Sequence, residues 1–440
     1  MANDGITGNH ISKTSIISGF SKLNRDERIE LLRNNTGVDI APELDSFLHS
    51  NPVLQQTFSE YSENYLTNFF LPFGVVPNVL VNGEMYLVPM VIEESSVVAA
   101  ASRAAGFWAQ HGGFKTEVLG TKKKGQVHFI WNGQGDFLKQ IFPKIEAELY
   151  LNTETITAGM KSRGGGITDI GLVDLTSKLA NYYQLDVVFE TADAMGANFI
   201  NTCLEEMAAT LKDFMTGFAQ QGTLEVVMSI LSNHTPESVV KCTLTCPVEE
   251  LAPMSGTYSP DDFAHRFKLA VQMAQADVSR AVTHNKGIYN GIDGVVLATG
   301  NDWRAVEAAG HAYAAQNGSY RALSDVKVED GLFEYSITVP LAVGTVGGLT
   351  KSHPMAALAL KMLRNPSAKK LMGIIAALGM ANNFSAVTSL ITSGIQKGHM
   401  KMHLPNLLTQ LGATEQQKAA AIEYFKNKVV SYSAVKKFLT

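Results

Sequence analysis

The segment LDVVFETADAMGANFINTCLEEM, residues 185–207, decides the fold class. It opens with the apolar run Leu185–Phe189, typical of a buried strand, and continues into a long helix predicted over Ala197–Phe218. Gly196 lies directly before that helix, where a phosphate can approach the free backbone N–H groups. The spacing is not GxGxxG, so any dinucleotide site here lies outside a Rossmann fold.

Strands and helices alternate on both sides of this segment. We predict strands at Val127–Ile130, Ile167–Leu172 and Leu224–Ile230, and a helix at Leu138–Leu149. The resulting order is strand, helix, strand, strand, helix, strand. That order predicts a split β-α-β sandwich, a ferredoxin-like unit, inserted into a larger unit.

Outside this unit the pattern is mainly helical. A hairpin is predicted around the turn Asn82-Gly83, and an Ala-rich helix after Ser96. The other predicted elements are a hairpin at Val326–Pro340 and helices at Asp261–Val282, Arg304–Ala315, Pro354–Leu363, Ser367–Met380, Ala386–Gln396 and Thr414–Leu439. The fold class is therefore predicted to be α+β.

The composition indicates a folded protein of two or three domains. The chain has 440 residues, of which 45% are hydrophobic and 18% charged. Its formal net charge of −5 leaves no basic excess to neutralise phosphates, which argues against a nucleic-acid partner. The compact basic run Lys122-Lys123-Lys124 is typical of a solvated turn.

Cysteine usage and apolar runs predict a cytoplasmic location. Cys203, Cys242 and Cys246 are too few for a disulfide framework, so we expect them to be packing residues in a reducing compartment. The amino-terminal residues do not form a signal peptide. No window approaches the roughly 18 consecutive apolar residues of a membrane span.

An acidic pair, Glu93-Glu94, lies between an apolar strand and the Ala-rich helix. A carboxylate there can simply interact with the free N–H groups and the positive end of the helix. Alternatively, an apolar pocket raises the pKa of one carboxyl so that it serves as a general acid. The residues alone leave both interpretations open.

Cationic and amide groups concentrate in RAVTHNKGIYNG, residues 280–291, where we predict that a long helix gives way to a loop. Lys286 on such a turn can stabilise a developing oxyanion, although lysine is also common at an ordinary helix end. Asp302, at a loop-to-helix junction, is either an N-cap or the acid of a buried pair with Lys286.

Two further segments carry candidate groups. His399 and His403 in GHMKMH, residues 398–403, fit either proton donation or two metal ligands on a helix face. No acidic helper is close in sequence, so we predict no metal. The glycines of RGGG, residues 163–166, suit either a phosphate or a plain turn.

The order and wording of these motifs resemble the bacterial, soluble class of 3-hydroxy-3-methylglutaryl-coenzyme A reductases. The similar segments are LVPMVIEESSVVAAAS (87–102), DAMGANFIN (193–201), THNKGIYNGID (283–293), ATGNDWRAVEA (298–308), TVGGLTKSHP (345–354) and GIQKGHMKMH (394–403). The resemblance implies a two-step reduction of a thioester to mevalonate, for isoprenoid biosynthesis, with two reduced nicotinamides consumed and coenzyme A released.

The resemblance also implies four catalytic residues. Lys286 would stabilise the oxygen as hydride reaches the thioester carbonyl, and Asp302 would hold that lysine and tune its charge. Glu94 would relay the proton in the aldehyde reduction. His399, on a mobile carboxy-terminal segment, would protonate the departing thiolate.

Binding positions follow from the same segments. The implied substrate-binding residues are Ser96, Arg280, Asn290 and Asn383, with Arg280 suited to the free carboxylate of the substrate. Asn233 is expected to support the Lys–Asp pair. The implied cofactor-binding residues are Asp193, Met195, Gly196 and Asn198. An Asp beside phosphates is repulsive, so Asp193 is expected to fix the loop or to meet a ribose or amide.

The cofactor preference is predicted from one more segment. In an NADH-specific relative, an acid lies seven residues before the glycine triplet. Thr157 occupies that position here, and Lys161 and Arg163 lie close by in sequence. An uncharged residue near cations tolerates a 2′-phosphate, so we expect NADPH rather than NADH, and with it the biosynthetic direction.

The sequence departs from the family pattern at several positions. Ser95 stands where a Pro is usual, and Ser21 replaces an Arg that contacts coenzyme A, with Lys22 beside it. Thr388 replaces an Arg, and Leu404-Pro405 replaces Ala-Arg at the expected start of the lid helix. None of these departures removes a catalytic group.

Three domains are expected. Residues 1–117 and 225–390 would form a large helix-rich substrate and dimerisation domain, 118–224 an inserted ferredoxin-like cofactor domain, and 391–440 a helical lid. Relatives imply a homo-oligomer, a dimer or larger. The alternatives are an acyl-CoA-binding protein of the same fold without turnover, or a reductase of another short acyl-CoA.

Overall fold

The computed structural model describes residues 16–392, 394, 404–426, 428 and 430–439. The chain divides into two compact units, the first ending at Pro72 and the second spanning Phe73–Thr440. The helices of the first unit are α1 (Arg25–Thr36), α2 (Ala41–Ser46) and α3 (Pro52–Ser59), preceded by a 3-10 turn at Phe20–Lys22. Asn24 begins α1 with a capping box, because its side chain and that of Glu27 each accept a hydrogen bond from the other's backbone N–H.

The second unit begins with the predicted hairpin. Strands β1 (Phe73–Val81) and β2 (Glu84–Val91) pair antiparallel around Asn82 and Gly83, whose φ angles are 49° and 85°. An Asn-Gly pair adopts these positive angles at low cost, so the hairpin forms where the dipeptide occurs. Helix α4 (Val97–Ala109) follows and packs its small side chains against β1.

The next elements build a four-stranded antiparallel sheet covered by helices. They are β4 (Lys123–Trp131), α5 (Gly135–Asn152), α6 (Glu154–Lys161), β5 (Gly166–Asp174), β6 (Tyr182–Glu190), α7 (Ala197–Thr216) and β7 (Leu224–Ser232). The strand order is β5-β6-β4-β7. This sheet and its helices share a hydrophobic core of their own, separate from the larger core. The α6 helix is an addition to the predicted order of elements.

A second four-stranded sheet was predicted only in part. It contains β3 (Lys115–Val118), β8 (Val239–Pro247), β9 (Ser324–Glu329) and β10 (Leu332–Pro340) in the order β3-β8-β10-β9. The β9-β10 hairpin was predicted, whereas β3 and β8 were not. Strand β8 buries every second side chain, including Cys242 and Cys246, which are free thiols as expected. Burial raises the pKa of Cys246 to about 12.

Helices follow a 3-10 segment at Val248–Met254. They are α8 (Pro260–Ala276), α9 (Val278–Ala298), α10 (Trp303–Ala314), α11 (Leu349–Ser352), α12 (Pro354–Met362), α13 (Ala368–Ile391), α14 (Leu404–Gln410), α15 (Glu415–Phe425) and α16 (Tyr432–Leu439). The prediction of one helix over Asp261–Val282 is wrong, because α8 ends at Ala276 and a second helix, α9, begins after Asp277. The side chain of Asp277 accepts a hydrogen bond from Arg280 N and starts α9.

The two helices predicted over 367–396 are also wrong, because α13 is continuous from Ala368 to Ile391. By length and composition, α13 is the one helix in the described part of the chain that could cross a membrane. Its most apolar window is 78% buried inside the protein, as in a core helix. Neighbouring helices α4 and α9 pack against it. The mixed helix and sheet content predicted from the sequence is confirmed.

Candidate active site

The acidic pair Glu93-Glu94 lies in the short link between β2 and α4, as predicted. The link ends at Ser96, whose φ of 80° and ψ of −21° lie in the left-handed region. A non-glycine residue in that region costs free energy and persists only where the surroundings hold it. The two carboxylates are thus presented by a constrained turn between a strand and a packed helix.

Lys286 forms an ion pair with Glu94 across 192 sequence positions. The distance from Lys286 Nζ to Glu94 Oε2 is 2.8 Å, and the two side chains are 61% and 45% exposed. An exposed pair contributes little stability, so its two groups are available to a ligand at small cost. The geometry suits a cation that moves onto a developing negative oxygen while a carboxylic group lies within proton-transfer distance.

Lys286 lies inside helix α9, so the prediction of a loop at residues 280–291 is wrong. The glycines that suggested a loop serve close helix packing instead. A Cβ on Gly291 would lie 2.1 Å from Leu378 O of α13, and a Cβ on Gly294 would lie 2.5 Å from Met90 Cε. Because α13 and β2 approach this closely, α9 holds Lys286 on a rigid support.

Asp302 is the N-cap of α10. Its carboxylate accepts hydrogen bonds from Arg304 N and Ala305 N, both at 3.1 Å, and lies 3.5 Å from Arg304 Nε. Among the described residues, Lys286 pairs with Glu94 and not with Asp302. The expected buried Lys286–Asp302 pair is therefore not formed in this structure, because both side chains are partly exposed and have other partners.

Asp293 is a further carboxyl group near Glu93 of the acidic pair. Burial raises the pKa of Asp293 well above its ordinary value, and the neighbouring carboxylates Glu307 and Glu93 raise it further. Asp293 Oδ1 is buried without a hydrogen-bond partner in the described part of the chain. Asp293 follows Lys286 by two helical turns, so a carboxyl group that favours its protonated form lies on the same helix.

His284, which precedes the lysine, is unsuited to proton donation. Burial lowers its pKa to about 3, and the positive charge of Arg280 lowers it further. Its Nε2 lies 2.6 Å from the hydroxyl of Ser324. The imidazole therefore remains neutral at physiological pH and supports the helix.

The other implied substrate residues lie at different depths. Arg280 and Asn290 are half-buried on α9, and Asn290 follows Lys286 by one turn, on the same helix face. Asn383 on α13 is buried, with its amide oxygen bonded by Tyr335 Oη and its nitrogen donating to His284 O at 2.8 Å. The structure thus gives Asn383 a role in joining α13 to α9.

The loop Thr191–Gly196, which contains Asp193 and Met195, connects β6 to α7. Gly196 is the N-cap of α7 with φ 93°, and a Cβ there would lie 2.5 Å from Thr191 Cγ2, so only glycine fits. Asp193 Oδ1 accepts a hydrogen bond from Ala368 N at the start of α13, at 2.7 Å. Asp193 therefore fixes the loop, in keeping with the repulsion expected between an Asp and a phosphate. Asn198 is exposed in the first turn of α7, and Met195 is half-buried.

The residues expected to set the cofactor preference divide into two groups. Lys161 and Arg163 are exposed beside the glycine turn. Thr157 is buried in α6, and its hydroxyl donates to Glu154 O at 3.1 Å. The hydroxyl of Thr157 is therefore bonded within its own helix, whereas the two cations are open to solvent.

Several positions from the sequence analysis add little to the site. Asn233 is exposed just after β7. His399 and His403 lie outside the described residues. The departure Leu404-Pro405 is compatible with a helix, since α14 begins at Leu404 and a Pro is tolerated in a first turn. Thr388 is buried, and its hydroxyl has no partner among the described residues.

Sequence reasoning missed Lys123, Asp293 and Asn301. Lys123 was taken as part of a solvated basic turn, and it is 5% exposed. Asp293 ends a motif that had been quoted, and its spacing from Lys286 would have placed it on the same helix face had the helix been predicted. Within the described ranges, no group of three or more His, Cys, Asp or Glu side chains could hold a metal ion.

The chain is similar to known proteins over most of its length. A family model described as hydroxymethylglutaryl-coenzyme A reductase matches residues 24–404. The 3-hydroxy-3-methylglutaryl-coenzyme A reductase of Archaeoglobus fulgidus is 33% identical over 411 residues, covering 93% of this chain and 90% of that protein.

Solved structures agree with these sequence matches. A 3-hydroxy-3-methylglutaryl-coenzyme A reductase from Streptococcus pneumoniae has a TM-score of 0.72 at 35% identity, covering 96% of this chain and 98% of its own. The class II enzyme from Streptococcus pneumoniae, bound to NADPH in open conformations, has a TM-score of 0.70 at 36% identity, covering 85% of this chain and 99% of its own.

These matches and the lysine–carboxylate site define an oxidoreductase. The chain belongs to the hydroxymethylglutaryl-coenzyme A reductase family. Its function is the reduction of hydroxymethylglutaryl-CoA in the mevalonate pathway, as the sequence analysis predicted.

Proposed function

We propose that the protein reduces 3-hydroxy-3-methylglutaryl-CoA to mevalonate and coenzyme A with two molecules of NADPH, and that Lys286 and Glu94 perform the central proton and charge chemistry. The observation that carries this proposal is the 2.8 Å contact between Lys286 Nζ and Glu94 Oε2, which is open to solvent. A cation and an acid in contact can stabilise an alkoxide and then protonate it.

In the first reduction, Lys286 stabilises the carbonyl oxygen of the thioester as negative charge develops on it. NADPH, when bound, supplies the hydride for each of the two reductions. The bond from carbon to sulfur then breaks, and His399 donates a proton to the departing thiolate. Mevaldehyde remains bound, with Lys286 still beside its carbonyl oxygen.

In the second reduction, Lys286 again stabilises the oxygen, and Glu94 relays a proton from solvent to the alkoxide, which becomes an alcohol. Asp302 is proposed to hold Lys286 in the substrate-bound state. Its partly exposed carboxylate at the start of α10 is accessible to such a partner. The protonated form of Asp293, favoured by burial, limits the negative charge beside Glu93 of the acidic pair.

The sheet of strands β4 to β7, with its covering helices, is proposed to bind NADPH at the amino terminus of α7. Gly196 turns the chain into α7 without a side-chain cap, which leaves the first N–H groups of the helix available to a phosphate, Asn198 offers an exposed amide, and Met195 belongs to the loop. Lys161 and Arg163 are proposed to meet the 2′-phosphate. The NADPH bound in the Streptococcus pneumoniae structure supports NADPH as the cofactor. The cofactor domain was predicted to end at residue 224, and the pairing of β7 with β4 extends the proposed unit to Ser232.

The larger part of the chain is proposed to hold the acyl-CoA. Arg280 suits the free carboxylate of the substrate, while Ser96 and Asn290 flank the lysine–carboxylate pair in sequence. Residues 391–440 are proposed to form the lid that carries His399. Helices α14, α15 and α16 support a separate lid because they share a small hydrophobic cluster.

A homodimer or larger assembly in the cytoplasm is also proposed. Exposed apolar side chains on α8 and α9 support a covered surface there: Leu269, Met273, Val278 and Val282. The free buried cysteines and the buried α13 are in keeping with a cytoplasmic protein. Sedimentation of the purified protein measures the assembly size.

The decisive experiment follows the nicotinamide absorbance of the purified protein with 3-hydroxy-3-methylglutaryl-CoA, in parallel with NADPH and with NADH. Rapid oxidation of NADPH, with two equivalents consumed per mevalonate, supports the proposal. Faster oxidation of NADH would contradict the assignment of Lys161 and Arg163 to a 2′-phosphate.

If neither NADPH nor NADH is oxidised with 3-hydroxy-3-methylglutaryl-CoA, two further measurements distinguish the alternatives. If folded protein binds the thioester tightly, an acyl-CoA-binding protein without turnover replaces the reductase. If it oxidises NADPH only with another short acyl-CoA, the reaction class stands and the substrate changes.

A further inference from the structure

Lys123 is a buried lysine beneath the loop that connects β6 to α7. It is the first residue of β4, and its side chain is 5% exposed. Its Nζ donates hydrogen bonds to Thr191 Oγ1 and, at 3.0 Å, to Ala194 O. Burial lowers the pKa of Lys123 to about 8, while the carboxylate of Glu190 opposes this shift.

The neighbouring lysines of the basic run have ordinary environments. Lys122 and Lys124 lie within 4.0 Å of the carboxylate of Glu237, and Lys124 also lies 3.2 Å from Asp186. Lys123 has no carboxylate within 4.0 Å in the described part of the chain and bonds neutral oxygens instead. A buried cation without an adjacent anion is costly, so it can gain stabilisation from an anionic ligand nearby.

The groups that Lys123 bonds determine the shape of the loop. Thr191 Oγ1 donates to Ala194 O at 2.7 Å, and Ala194 N donates to Thr191 O at 3.0 Å. Glu190 Oε1 accepts from the N–H groups of Thr191 and Ala192. Ala192 has φ 48°, a strained angle for a residue with a side chain. The lysine nitrogen thus joins both sides of a tight, constrained turn.

The same turn is joined to the segment that carries Asp302. Thr345 N donates to Asp193 O at 2.8 Å, and Ala194 forms a bridge with Val346. Gly344 N donates to Asn301 Oδ1 at 2.8 Å, and Asn301 directly precedes Asp302. A continuous set of hydrogen bonds therefore links the turn above Lys123 to the start of α10.

We propose that Lys123 is a positioning residue for the dinucleotide phosphates: it holds the Thr191–Gly196 turn in the shape that presents the amino terminus of α7, and it places a positive charge beneath that turn. This inference rests on the proposed function, because it needs the cofactor to bind at α7. Lys123 acts through the turn, and its charge is compensated when the phosphates bind above it.

The test compares Lys123→Met with Lys124→Met, a control that removes an adjacent lysine already paired with carboxylates. We expect Lys123→Met to raise the KM and the Kd for NADPH by about 10-fold or more, the equivalent of one charged contact. Its kcat at saturating NADPH and its KM for 3-hydroxy-3-methylglutaryl-CoA should stay within about 3-fold of the parent. Lys124→Met should match the parent in all of these constants.

A salt titration separates charge from shape. The Kd of the parent for NADPH, from nicotinamide fluorescence, should weaken more steeply with ionic strength than that of Lys123→Met. Lys123→Arg, which keeps the charge and the donors, should recover most of the affinity. An unchanged Kd in Lys123→Met, or equal rises of KM for both substrates, would overturn the proposal.

A second variant decides the case in which Lys123→Met does not fold. Thr191→Val keeps the lysine and removes one of its two acceptors, so we expect a rise of about 3-fold in the Kd for NADPH with little change in kcat. No rise would overturn the inference. If the parent itself neither binds nor oxidises NADPH, the proposed function fails, and the role of Lys123 fails with it. If the parent turns over, the ratios of the Kd and KM for NADPH between each variant and the parent test the role of Lys123 alone.

Discussion

Lys286 and Lys123 lie in opposite environments, one exposed and the other buried. Lys286 projects from α9 with a side chain that is 61% exposed and forms an ion pair with Glu94. Lys123 is buried at the start of β4 and bonds a hydroxyl and a carbonyl. One lysine is available to a reacting oxygen, while the other is enclosed by the turn that it supports.

The contrast separates chemistry from positioning. A cation that stabilises the substrate oxygen in two successive reductions must be accessible to the substrate and must exchange its partner easily. An exposed ion pair meets both requirements. A group that fixes a binding turn needs burial and fixed hydrogen bonds, which make its removal expensive. Mutations in the two regions should therefore affect different steps.

The largest expected effect is the loss of turnover in Lys286→Met. Removing the cation that stabilises the oxyanion should lower kcat by about 1,000-fold, while the Kd for NADPH stays within about 2-fold. Single-turnover absorbance measures the first effect, and nicotinamide fluorescence measures the second. Lys327→Met, which removes an exposed lysine on β9, is the control. Near-normal turnover in Lys286→Met would remove the lysine from the chemistry.

His399→Gln tests the proton donor on the proposed lid. If His399 protonates the thiolate, the variant should lose about 100-fold in reduction of the thioester and much less in reduction of supplied mevaldehyde, which has no thiolate to release. Steady-state rates on the two substrates measure the difference. Equal losses would refute the role. A selective loss would separate release of the thiolate from reduction of the aldehyde.

Gly196→Ala should disturb the loop region and leave the chemistry intact. The new Cβ would meet Thr191 at 2.5 Å, on a backbone with φ 93°. We expect the free energy of unfolding to fall by about 1–3 kcal/mol and the KM for NADPH to rise, with kcat largely kept. Denaturant unfolding and NADPH titration measure both effects.

The control is Gly318→Ala, where φ is 88° and no described atom lies within 4 Å of the new Cβ. It should lose only the backbone cost, about 1 kcal/mol, with no change in the KM for NADPH. Equal behaviour of the two variants would show that contact with Thr191 has no part in the loop.

Local patterns predicted much of the fold. The apolar runs and the Asn-Gly turn predicted the first hairpin and the strands β4 to β7, because these signals come from neighbouring residues. The glycines of α9 misled for the opposite reason. Gly291 and Gly294 are required by α13 and β2, which lie far away in sequence, so their local pattern imitates a loop.

The candidate site divides in the same way. Glu94, Lys286 and Asp302 were found from motifs, and the contact between Lys286 and Glu94 was not, since it joins elements 192 positions apart. The proposed role of Lys123 depends on burial against the turn that follows β6, the strand that pairs with β4. A sequence of three lysines carries no signal of which one is buried.

The smallest expected effect concerns the buried carboxyl group of Asp293 on α9. Because Asp293 has a raised pKa in the folded protein, it retains its proton at pH values where the unfolded chain has lost it. The folded state then binds more protons, so the free energy of unfolding falls as the pH rises above about 4, until Asp293 ionises in the folded protein. Asp293→Asn removes this dependence and should be more stable than the parent at pH 8 by about 1 kcal/mol or more, with a smaller difference at pH 4.

Denaturant unfolding of the parent and Asp293→Asn at pH 4 and pH 8 measures the difference, and Asp261→Asn, an exposed aspartate on α8, controls for the loss of one charge. A difference that does not grow with pH would show that Asp293 is ionised beside Glu307 and Glu93. In that case Lys286 would stand among more negative charge than proposed, and its ammonium would be held more firmly before substrate arrives. Lys286 would then resemble Lys123 in being fixed by its surroundings. The difference between a lysine that takes part in the chemistry and one that positions a binding turn would be smaller than their exposures suggest.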